Sequence, residues 1–77
     1  MVTIHIIDGD TFSAEAFWVD KTEKYLWFRA SFNPKDKYSF DRQRHSPTCK
    51  IPYAEDVQVL PIDGNLLVKV KVDEERL

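Results

Sequence analysis

The sequence predicts an all-β fold: a small, five- or six-stranded barrel that forms one domain. Three observations carry this expectation. Apolar and polar residues alternate with period two along most of the chain, as in TIHI and VKVKV, and no stretch sustains the helical period of about 3.6 residues. Turn signals recur between the alternating runs at intervals of roughly ten residues, the spacing of short strands in a barrel or sandwich. The chain has 77 residues, enough for one core and too few for a second. A domain of this size buries only about 60% of the surface that its unfolded chain exposes, which leaves little room for a deep internal site.

Each element follows from the local pattern. Val2, Ile4 and Ile6 share one face of the first run, and Asp8-Gly9 follows as a turn pair because both residues tolerate positive φ. The next run, TFSAEAFWV, sets Phe12, Ala14, Ala16 and Trp18 on one face but Phe17 and Val19 on the other. A bulge near Ala16 to Trp18, or burial of both faces, reconciles them. A polar loop from Asp20 to Lys24 precedes YLWFRASF, where Leu26, Phe28, Ala30 and Phe32 point one way and Tyr25, Trp27, Arg29 and Ser31 the other. Asn33 to Lys37 is a turn, since proline restricts φ while Asn and Asp side chains bond the local backbone. A short strand, YSF, comes next, and the polar stretch from Asp41 to Thr48 reads as the longest loop. Ile51-Pro52-Tyr53 leads into VQVL, and Pro61 to Asn65 turns the chain into LLVKVKV. There Val68, Val70 and Val72 alternate with Lys69 and Lys71, so this strand has one wet face. The closing DEERL is expected to fray, giving a barrel over 1–72 and a short acidic tail over 73–77. At this length a five- or six-stranded SH3-like or OB-like barrel is the economical architecture.

Composition bounds the function classes. Apolar residues make up 43% and charged residues 31%, so neither disorder nor a membrane span is expected. The first twenty residues contain Asp8, Asp10 and Glu15 and no basic residue, unlike a secretory signal. Cys49 is the one cysteine, which forbids an internal disulfide and suits a reducing, cytoplasmic setting. The net charge of −2 conceals an uneven distribution: residues 21–50 sum to +5 and the remaining 47 residues to −7. A charged partner is one reading of such asymmetry; ordinary solvation of the surface is the other.

No residue set points to catalysis. His5 lies in an apolar strand and His45 in a polar loop, with no spacing that marks a metal site. Cys49 lies four residues from His45 in an irregular segment, which is not a nucleophile and base arrangement, and a lone cysteine usually serves as a small buried residue. Asp8 and Asp10 flank a turn glycine and read as turn formers. Gly9 and Gly64 are the whole glycine complement, so no phosphate-cradling loop can be built. No enzyme activity, cofactor or metal is expected.

One cluster stands out. Tyr25, Trp27 and Arg29 project from one face of a strand, and Tyr38, Arg42, Arg44 and His45 follow within the same basic segment. Trp, Tyr and Arg are enriched at binding hot spots because they combine large desolvatable area with a directed polar group. They also suit stacking on bases. The competing reading buries Tyr25 and Trp27 as a second core face.

Two segments resemble the Sm-like proteins. VTIHIIDGDTFSAEAFWVDKTEKYLWF is similar to the first Sm motif, with a turn at Gly9 and a strand ending in Asp20, and VLPIDGNLLVKV to the second, around Gly64 and Asn65. The resemblance implies a strongly bent small barrel and, in the family, rings that bind RNA. The positions that would hold RNA depart from the pattern. Asp63 stands immediately before Gly64 where the family has a basic residue, no Asn lies between Asp20 and Leu26, and Ala14 replaces the glycine that lets the second strand bend. The expectation is therefore an SH3-like or Sm-like bent barrel that is a monomer or small oligomer rather than a ring. It acts without catalysis, docking onto a macromolecule through Tyr25, Trp27, Arg29, Tyr38, Arg42, Arg44 and His45. A protein partner is favoured, in the manner of accessory or inhibitory subunits such as phages make, and RNA or single-stranded DNA is the alternative.

Overall fold

A computed structural model describes residues 1–31 and 48–77. The expectations for Phe32, the turn at Asn33 to Lys37, the YSF strand and most of the following loop lie outside the described residues. The fold is all-β, in one small domain. Among the described residues six strands run in chain order: β1 (Val2–Ile6), β2 (Thr11–Asp20), β3 (Tyr25–Ala30), β4 (Thr48–Pro52), β5 (Gln58–Ile62) and β6 (Asn65–Val70). They form a single sheet in the order β4-β3-β2-β1-β6-β5. Neighbours are antiparallel except β1 and β6, which are parallel. β4 and β5 behave as one pass of chain interrupted at 53–57, so the chain makes five passes, and the fifth pass of an up-and-down meander meets the first in the same direction. The ladder does not close completely. Among the described residues β4 and β5 remain its edges, joined where Tyr53 bridges Val72, with the Ala54 N–H donating to the Lys71 carbonyl at 2.9 Å and the Asp73 N–H to the Pro52 carbonyl at 2.8 Å.

The inward faces are those that the alternation predicts. Ile4 and Ile6, Phe12 and Ala14, Leu26, Phe28 and Ala30, and Val68, Val70 and Val72 are buried together with Cys49, Ile51 and Tyr53. Phe12 and Phe28 meet across this core with ring centroids 5.8 Å apart.

The two-faced pattern of β2 is resolved by a bulge. Ala14 pairs with Ala30 and Ala16 with Arg29, so Glu15 is the extra residue. This is slightly earlier than the stretch from Ala16 to Trp18 in which the sequence places it. Beyond the bulge the strand has turned over: Phe17 and Val19 pack against the core, and Ala16 and Trp18 face out. β1 pairs with β2 only as far as Ala14, so the remainder of that β2 edge carries no strand among the described residues.

The β1–β2 and β5–β6 hairpin turns use residues suited to positive φ, in different ways. In the first, Asp8 alone takes it, at 61°, while Gly9 serves a close approach: a Cβ there would lie 2.9 Å from the Ile6 Cγ2. In the second, Ile62 pairs with Asn65 and the two-residue connection has φ 49° at Asp63 and 80° at Gly64, the primed turn that matches strand twist. Pro61 and Ile62, expected in that turn, belong to β5. Thr48, read from sequence as the end of a loop, opens β4 instead and Cys49 and Lys50 continue it, because Cys49 supplies an inward apolar side chain. The final residues, expected to fray, include a short turn of helix. Glu74–Arg76 form a 3-10 turn whose N-cap, Asp73, accepts from the Glu75 N–H.

Candidate functional site

The outer face of β2, β3 and β4 carries the aromatic and basic residues. Register stacks them in rows across the three strands. Ala16, Arg29 and Thr48 form one row, Trp18, Trp27 and Lys50 the next, and Asp20, Tyr25 and Pro52 the third. Alternation along β3 puts Tyr25, Trp27 and Arg29 on this face because Leu26, Phe28 and Ala30 occupy the core. Tyr25 and Trp27 are half-buried and Arg29 is exposed, and none of the three belongs to the buried core. Tyr38, Arg42, Arg44 and His45 lie outside the described residues.

The centre of the face is a stacked tryptophan pair. The Trp18 and Trp27 rings lie 5.4 Å apart between centroids and only 6° from parallel. Trp18 nevertheless keeps 56% of its surface exposed. Tyr25 leans against Trp27 at 6.4 Å and 57°. Lys50 holds its ammonium 4.7 Å from the Tyr25 centroid and 5.5 Å from that of Trp27. The Arg76 guanidinium sits 4.9 Å from the Tyr25 centroid, a second cation on the same ring. Each such cation over a ring contributes about 0.5 to 1 kcal/mol where exposed.

Arg76 also holds the end of the chain in place. It donates from Nη1 to the Glu23 carbonyl at 2.7 Å, from Nη2 to the Lys24 carbonyl at 2.6 Å, and from Nε to the Asp73 carboxylate at 3.1 Å. Those carbonyls belong to the β2–β3 turn. Asp20 shapes that turn by accepting from the Thr22 and Glu23 N–H groups at 3.0 and 3.1 Å, and Lys24 completes it at φ 58°. Where the bulge opens the sheet, Glu15, Ala16, Trp18, Phe28, Arg29 and Thr48 line a cleft of about 270 Å³.

Three participants escape the sequence reading. Trp18 is assigned to the core face until the bulge is placed before Ala16, and that placement is the signal which would have found it. Lys50 falls between the loop that ends at Thr48 and the run that starts at Ile51, and Arg76 lies in a tail expected to fray. Elsewhere, the His5 ring bonds the Thr11 hydroxyl at 3.0 Å on the outer face, and Cys49 is fully buried. No three of His, Cys, Asp and Glu converge as a metal site among the described residues. No helix among them is long and apolar enough to cross a membrane.

Fold and surface together define a small all-β domain with a partly exposed aromatic and cationic sheet face. Compared with known proteins, the chain matches no family model, no curated protein and no solved structure.

Proposed function

We propose that this protein is a non-enzymatic binding module, an accessory or inhibitory subunit, that docks onto a protein partner through the outer face of β2, β3 and β4. The observation that carries the reading is the Trp18–Trp27 pair: a large stacked apolar surface left 56% exposed at Trp18, with Lys50 against Trp27, Arg29 in the next row and Arg76 over the neighbouring Tyr25 ring. Exposed tryptophan beside arginine is the composition of an interface hot spot, where a few aromatic and guanidinium groups contribute most of the affinity. The pair is stacked in advance, so little side-chain freedom remains to be lost on binding.

A nucleic-acid partner is the second reading, favoured by the positive groups beside the tryptophans. It is the weaker one because base stacking needs free ring faces. Trp27 is stacked on Trp18 and approached by Lys50, and Tyr25 is approached by two cations. Glu15 and Asp20 further dilute the positive potential, and the chain as a whole is at −2.

Affinity capture from the source cell, with and without nuclease, separates the two. The expected result is a protein retained after nuclease, lost with Trp18→Ala and Arg29→Glu, and rebinding in purified form with weak salt dependence. Capture that vanishes with nuclease, or affinity that falls steeply with salt and is matched by an oligonucleotide, would overturn the protein reading.

A further inference from the structure

At the opposite end of the strand order from the aromatic face, β5 is an edge strand on which every residue is exposed. Val59, Leu60 and Ile62 keep 41%, 38% and 47% of their surfaces open, and no residue of β5 is charged. Edge strands are ordinarily guarded by charge, bulges or proline, because their unpaired main-chain groups template further strands. Pro61 is the one guard here, and its position matters.

The two-residue turn makes Ile62 and Asn65 a hydrogen-bonded pair, so by alternation Leu60 and Gln58 also direct their backbone to β6. Val59 and Pro61 then direct theirs away from the sheet. Among the described residues nothing pairs with the Val59 N–H and carbonyl or with the Pro61 carbonyl, and Pro61 has no donor to offer. Acidic residues bracket this strip: Asp56 precedes it, beside Glu55, and Asp63 follows it. Glu55 is engaged by Lys71 at 3.5 Å.

We propose that the β5 edge accepts an extended peptide segment of a partner protein, added as a further strand, with an uncharged β-prone run flanked at each end by Lys or Arg. Asp56 and Asp63 are the groups that those flanks meet. The exposed Leu60 and Ile62 on one face of the strand, and Val59 on the other, receive alternate side chains of the incoming run. A second copy of this chain would find few bonds here. Antiparallel self-pairing centred on Val59 sets Asp63 of each copy opposite Glu55 of the other, pairing centred on Pro61 opposes two residues that lack a donor, and pairing centred on Leu60 sets Val59 opposite Pro61, so that the two Val59 N–H groups are the only β5 donors it uses.

The test titrates the full chain with a blocked synthetic peptide, Lys-Arg-Thr-Val-Ile-Val-Thr-Arg-Lys, followed by amide NMR and hydrogen exchange. The expected result is shifts confined to β5 and its flanks and slowed exchange at the Val59 N–H. Affinity should drop roughly tenfold or more when the basic flanks are replaced by Glu, and binding should be lost when alternate peptide amides are N-methylated. Val59→Pro, which removes the outward donor, should also lose binding; the N-methylated peptide makes the same point without altering the protein. Perturbation centred on Trp18 and Trp27, equal affinity for the acid-flanked peptide, or no β5 shift at millimolar peptide would overturn the proposal. So would protection of the Val59 N–H in the free protein together with a concentration-dependent doubling of mass, which would make a second copy the occupant.

Discussion

Trp18 and Trp27 occupy one row of the sheet and stack on each other, yet they differ in what they give the fold. Trp18 is the more exposed of the two, so Trp18→Ala removes mainly the ring pair and should cost about 0.5 to 1.5 kcal/mol. Trp27 lies between Trp18 and Lys50 and against Tyr25, so Trp27→Ala should cost clearly more. Chemical unfolding of both variants alongside partner affinity checks the order. If Trp18→Ala unfolds the domain, the ring is structural and the docking surface lies elsewhere. Arg76 is the second residue with a definite consequence. Arg76→Ala removes the bonds to the Glu23 and Lys24 carbonyls and the cation over Tyr25, and should cost about 1 kcal/mol because the site is exposed to water. Faster amide exchange at 74–77 and a changed Tyr25 ring environment would report it, with the barrel otherwise intact.

Among the elements, β2 does the most to shape the molecule. Its first half pairs with β1 and β3, its second half with β3 alone, and the bulge at Glu15 separates them. Because side chains alternate strictly along a strand, one inserted residue exchanges the two faces for everything after it. Deleting Glu15 should therefore force a choice between exposing Phe17 and Val19 and losing the β2–β3 pairing beyond Ala14. Either outcome should cost more than about 3 kcal/mol, since each apolar side chain returned to water forfeits roughly 1.5 to 3 kcal/mol. Thermal unfolding shows this as a large drop in midpoint; Glu15→Ala, which keeps the residue count and so the register, should lower the midpoint far less. A deletion as stable as the parent would mean that the bulge does not set the register.

For the whole molecule, a partly open ladder with two edges raises the question of assembly. The chain is 9.1 kDa, and light scattering should return a monomer or small oligomer. A discrete hexamer or heptamer would revive the RNA-ring reading that the Sm-like resemblance carries. Circular dichroism should show a β-dominated spectrum with very little helix, since the described residues hold one three-residue 3-10 turn and otherwise strands and turns.

Much of this architecture is legible in the residue order, for a physical reason. Period-two alternation is a local property, so Ile4, Ile6, Leu26, Phe28, Val68 and Val70 declare their inward face with no knowledge of their neighbours. The Asp8-Gly9 and Asp63-Gly64 turns are equally local, because φ preference belongs to the residue itself. On the same grounds Tyr25, Trp27 and Arg29 are legible as an outward row. What depends on partners is not. Thr48 to Lys50 form a strand because β3 offers them a ladder, and Pro61 can stay in β5 because its missing N–H points away from β6. Arg76 orders the last turn only because the Glu23 and Lys24 carbonyls, more than fifty residues earlier in the chain, lie within its reach. Trp18 joins the aromatic face only because a bulge opposite Ala30 and Arg29 turns β2 over. Sequence alone determines the strand class, the core face and the larger part of the described aromatic row. Tertiary structure decides where strands end and which side chain completes the surface, because those outcomes rest on contacts between segments far apart in the chain.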